Sequence, residues 1–223
     1  MGPAAVVARW LIASSCLWWG SLGEVVATDA GEQGEWRELK HAQGIRVLVQ
    51  EREGDILKVK ARTEIDAPLA RVKAVIDDST SHPQWVPYLV ETRILTRESQ
   101  GQALLYSRFD APWPARDRDF VYQSRLTHLP DGGFSYRLGS RESESMPPQA
   151  HYVRARLIEG AYRLFPLEED KTQVEFMFHA DPRGHLPLWI VNIVQRRFPF
   201  DALLGLRRVL EQNDSAASAQ TEE

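Results

Sequence analysis

Residues 45–65 alternate apolar and polar side chains. Ile45, Val47 and Val49 share one side, and Leu57, Val59 and Ala61 stand opposite Lys58, Lys60 and Arg62. Period-two alternation marks half-buried strands, and Glu53-Gly54-Asp55 between them supplies a turn, so this stretch predicts a hairpin. Before it, residues 35–42 predict a helix that Gly44 ends. After it, Asp66 is an N-cap candidate with Pro68 in the first turn, and Leu69, Val72, Val75 and Ile76 form a helical stripe. Pro83 and Pro87 bracket Trp85 in an irregular segment. Strands are then predicted over 103–109, 120–128, 134–139 (after Gly132-Gly133), 151–158, 162–166 and 172–180. The last element, 186–212, is a long amphipathic helix kinked at Pro199. The small, polar and acidic residues 213–223 read as a disordered tail. This order predicts an α+β fold, one curved antiparallel β-sheet wrapped around a long C-terminal α-helix.

The N-terminal residues break the pattern. Arg9 precedes a mostly apolar run over 10–22, and Val25 and Ala27 occupy the −3 and −1 positions of a signal peptidase site before Thr28. The run is short of the ~20 residues that a spanning helix needs. Residues 1–27 are therefore expected to be a cleaved signal peptide and 28–34 a linker, giving an exported protein, periplasmic or extracellular. The single cysteine, Cys16, falls in the leader, which leaves the remaining domain without disulfides or thiol chemistry. The 223 residues carry a net charge of −4, which argues against nucleic acid as a partner.

Several motifs resemble one family. Pro112-Trp113-Pro114 leads into Arg118-Asp119-Phe120-Val121, and Pro147-Pro148 leads into Val153-Arg154-Ala155. Glu159-Gly160 precedes 164–167, and Asp181-Pro182-Arg183-Gly184-His185-Leu186-Pro187 enters the terminal helix that carries Asn192. With Trp85, these are similar in order and spacing to the START domain, the StAR-related lipid transfer family, in its bacterial secreted type. The resemblance spans roughly residues 36–210. It implies a helix-grip fold over 35–212 with a lipid-sized interior closed by the terminal helix, and a sterol-like molecule, a phospholipid or another lipid as ligand.

Strand alternation supplies candidate cavity residues. Phe120, Tyr122 and Ser124 share one face of their strand, and Phe176 and Phe178 share one face of theirs. Tyr106 and Arg108 are expected to face the same interior, where Arg108 offers a cation to an anionic head group. Trp85, and Trp189 and Ile193 on the terminal helix, complete the set. Charge alternation in Arg116-Asp117-Arg118-Asp119 points to mutual pairing rather than a catalytic dyad. The six histidines show no metal-ligand spacing, and no serine stands in a Gly-x-Ser-x-Gly elbow. No catalytic residue, metal or cofactor is expected. The reading is a monomeric lipid-binding or lipid-transfer protein making transient membrane contact, with residues 141–150 as candidate gate. The alternative is a helix-grip enzyme of cyclase or hydrolase type.

Overall fold

The computed structural model describes residues 35–51, 55–111, 113, 115–168 and 170–221, with side chains as far as 213. The expected signal peptide and linker lie outside the described residues.

The elements run in chain order: β1 (Trp36–Ala42), β2 (Ile45–Gln50), β3 (Lys58–Ile65), α1 (Leu69–Asp77), α2 (His82–Trp85), β4 (Leu89–Ser99), β5 (Gln102–Phe109), β6 (Arg118–His128), β7 (Phe134–Ser140), β8 (Val153–Arg154), β9 (Arg156–Glu168), β10 (Lys171–Asp181) and α3 (Leu188–Thr221). Nine strands form one antiparallel path in the order β1-β2-β3-β10-β9-β7-β6-β5-β4, and the short β8 pairs parallel with β6. Helix α3 lies against β2, β3 and β10, so the sheet grips the helix as expected.

The first element is a strand, not a helix. Trp36, Leu39 and Ala42 are spaced by three and mimic a helical stripe. The register of β1 on β2 slips between Glu38 and Lys40, so Leu39 is a bulge that shifts the alternation by one residue. Gln43 and Gly44, both with positive φ, then make the two-residue turn into β2. The N-cap position of α1 is Pro68, with no side-chain cap hydrogen bond, so Asp66 is not its N-cap. The Pro68 carbonyl accepts from the Arg71 and Val72 amides instead.

Sequence pattern did not predict β4. It is an edge strand with three register slips against β5, and its side chains are mostly half-buried or exposed. Each slip resets the period-two pattern by which a strand is recognised. Residues 156–168 form one strand where two were expected, with a bulge that leaves Ile158 unpaired. The α3 backbone continues to Thr221, well past the expected end at 212; alanines at 216, 217 and 219 favour that continuation.

Two packing details hold the helix in place. Val191, Gln195, Phe198, Ala202, Leu206 and Val209 recur at helical spacing and are buried. At Gly205 an added Cβ would sit 2.2 Å from the Trp85 carbonyl oxygen, so glycine lets α3 approach the last residue of α2.

Candidate functional site

The inner face of the sheet does not fill the space under α3. A cavity there offers about 170 Å³ to the centres of water-sized molecules, against the ~10–15 Å³ that admits one water. Its walls are Leu105, Phe109, Phe120, Leu138, Leu157, Phe176 and Phe178 from the sheet, and Phe198 from α3. Phe178 and Phe198 lie 4.5 Å apart between ring centroids, and Phe109 stands edge-on to Phe120 and Phe198 at 5.4 and 6.0 Å, closing one end in aromatic rings. The other end is lined by Asp77, Ser79 and His82 from the α1–α2 segment and by Arg97 and Ser99–Gln102 at the β4–β5 turn. Asp77, Arg97, Ser99 and Gln100 are exposed, so the cavity meets solvent at this rim.

Four polar side chains face the apolar interior. The Ser107 hydroxyl lies 3.1 Å from both Thr92 Oγ1 and the Tyr122 hydroxyl, which links β4, β5 and β6 inside the sheet. Ser124 and Tyr162 also line the space. Burial raises the phenol pKa of Tyr122, with the Ser107 and Thr92 hydrogen bonds acting against it, and burial raises Tyr162 as well. Both phenols stay protonated at neutral pH. Toward the rim, the Tyr136 hydroxyl donates to Asp77 Oδ1 at 2.7 Å, and Lys73 pairs with the same carboxylate. Neutral His82 donates from Nε2 to the Ile76 carbonyl at 2.9 Å, and burial lowers its pKa.

Of the candidate residues, Phe120, Tyr122, Ser124, Phe176 and Phe178 come together on the cavity wall. Tyr106 and Arg108 do not, because β5 presents Ala103, Leu105, Ser107 and Phe109 inward. Tyr106 is buried on the opposite face with Leu104, Val121 and Met146, and the Arg93 guanidinium covers its ring at 5.0 Å. Arg108 pairs with Glu91 and Asp117 at 3.6 and 3.3 Å. The strand is apolar on both faces because Met146, from the 141–150 loop, covers the outer one, and two buried faces erase the alternation. The same contact removes that loop from the cavity mouth. Arg154 fixes it by donating to the Met146 and Pro147 carbonyls while forming a two-point ion pair with the fully buried Asp119, at 3.0 and 2.9 Å.

Trp85 is buried behind the cavity wall, edge-on to Tyr162 at 6.3 Å. Trp189 and Ile193 point away from the interior, 66% and 48% exposed. The first turns of α3 carry apolar side chains on both the exposed and the buried face, so spacing alone did not select the buried one, which carries Val191 and Gln195. Leu105, Ser107, Tyr162 and Phe198 are wall residues that pattern did not find. A correct phase for β5 would have supplied the first two.

The START domain family profile matches residues 21–215, most of the chain. The chain belongs to the START family. It is 26% identical over 194 residues to an uncharacterised protein of Pseudomonas aeruginosa, covering 86% of this chain and 92% of that one. Human START domain-containing protein 10 is 27% identical over 161 residues, 70% of this chain, which spans 55% of that relative's length. Among solved structures, human STARD10 superposes with a TM-score of 0.76 at 21% identity, covering 86% of this chain and 79% of that one. A STAR-related lipid transfer protein fragment from Xanthomonas axonopodis gives 0.70 at 28% identity, covering 79% and 98%. The START fold, a curved antiparallel sheet gripping a C-terminal helix, is thus established for this chain.

Proposed function

We propose that this START domain is an exported carrier that takes one lipid out of a membrane, encloses it and performs no covalent chemistry. The observation that carries the proposal is the space left open between the inner face of the sheet and α3, walled by aromatic and aliphatic side chains. A methylene withdrawn from water contributes about 0.8 kcal/mol, so a chain of ~16 carbons resists water by roughly 12 kcal/mol. A carrier must replace that apolar contact during transit; the cavity of about 170 Å³ does so for part of the chain, and α3 must shift for the rest to enter. The enzyme alternative draws on Tyr106, Arg108 and Tyr122; the first two face away from the interior, and Tyr122 lines it as a protonated phenol hydrogen-bonded to Ser107.

Exchange requires contact with a bilayer. Leu188, Trp189, Ile193 and Val194 are exposed at the start of α3, with exposed Arg196 and Arg197 beside them. This combination of apolar side chains and cations suits insertion at an anionic lipid surface. In a transfer assay with donor vesicles carrying a self-quenched fluorescent phospholipid, the protein is expected to accelerate movement to acceptor vesicles. Trp189→Ser with Ile193→Ser should slow transfer without changing the amount of lipid already held. Absence of transfer for phospholipid and sterol donors alike would refute the carrier reading.

A further inference from the structure

We propose that the part of the ligand held inside the cavity is uncharged and bears a hydroxyl or carbonyl group. The inference rests on the carrier reading and adds the chemical class of the cargo.

The hydroxyl chain has a direction. With Ser107 donating to Thr92 Oγ1 and Tyr122 donating to Ser107, Thr92 is left to donate to Tyr122, whose oxygen keeps one further acceptor site. Tyr162 is a second phenol on the wall, and its hydroxyl opens on the cavity with no side-chain hydrogen bond to the described residues. Its ring is fixed by stacking on Phe176 at 4.3 Å and by the edge of Trp85. A ligand that displaces water from these two phenols must replace the hydrogen bonds the water made. A ligand group that accepts from Tyr162 and donates to Tyr122 completes both, as an alcohol does; a carbonyl completes the first.

Charge is excluded by the same wall. The charged lining groups, Asp77 and Arg97, are exposed at the rim, and Asp77 is already engaged by Tyr136 and Lys73. The inward cation expected at position 108 is paired elsewhere with Glu91 and Asp117. A carboxylate or phosphate drawn inside would lose its hydration and meet no counter-charge.

The test compares three ten-carbon probes on the full chain at pH 8: decane, 1-decanol and decanoate, measured by displacement of a bound fluorophore. Decanol is expected to bind at least tenfold more tightly than decanoate. Tyr162→Phe should weaken decanol about fivefold and leave decane unchanged. Decanoate binding as tightly as decanol would overturn the proposal, and so would equal loss of decane and decanol in Tyr162→Phe. If none of the three binds, the carrier reading fails, and this inference with it.

Discussion

Filling the cavity separates a binding chamber from an ordinary core. Ser124 lines the space and has no side-chain hydrogen bond among the described residues, so Ser124→Phe places a ring in the void without orphaning a partner. A cavity of about 150 Å³ accommodates benzene, and this one offers about 170 Å³. Burying a phenylalanine side chain contributes about 1.5–3 kcal/mol, offset in part by lost rotamer freedom. Ser124→Phe is therefore expected to match the parent or to gain up to about 2 kcal/mol in urea unfolding. In a close-packed core the same enlargement costs about 1–3 kcal/mol. Lipid uptake, measured on the same preparation by extraction after incubation with vesicles, should fall at least tenfold. A loss of more than 2 kcal/mol, or uptake unchanged, would refute the claim that this space is empty and receives the ligand.

Other parts of the molecule give further expectations. Asp119→Ala leaves Arg154 half-buried without its carboxylate, and loss of about 3 kcal/mol is expected in chemical denaturation, with faster proteolysis within residues 141–150; unaltered stability would contradict the anchoring role. Gly205→Ala drives a Cβ to within 2.2 Å of the Trp85 carbonyl, where backbone must move on one side, so a loss of about 2 kcal/mol is expected in the same assay. Burial depresses the pKa of both His82 and His179, so the unfolded chain binds protons more readily than the folded one. Their contribution to stability is complete above pH 6.5, the ordinary histidine value, and is lost as pH falls below it. Thermal scans between pH 7.5 and 5.5 should show Tm falling with acidification, and less steeply in His82→Asn with His179→Asn; an identical slope would reject the assignment.

Much of the architecture was legible because burial on one face writes itself into the chain. The alternation of residues 45–49 and 57–61, the phenylalanine pair of β10 and the Arg-Asp-Phe segment gave the sheet, the family resemblance and half of the cavity wall. The failures share a cause. Where a segment is apolar on both faces, as in β5 and at the start of α3, period alone does not say which face is inward. Tyr106, Arg108, Trp189 and Ile193 were misplaced for that reason. Bulges in β1 and β4 changed the phase of the alternation, turning one strand into an apparent helix and hiding the other. Trp85 supports the cavity from behind its wall, a layer that strand parity does not describe.

The most direct test is the mass of the protein after it has met a membrane. Delipidated chain incubated with mixed phospholipid and sterol vesicles, separated from them and weighed by native mass spectrometry, should carry one lipid per polypeptide. Ser124→Phe treated identically should carry none. Recovery of the parent chain at its bare mass, with no lipid retained after exposure to any vesicle composition, would contradict the account.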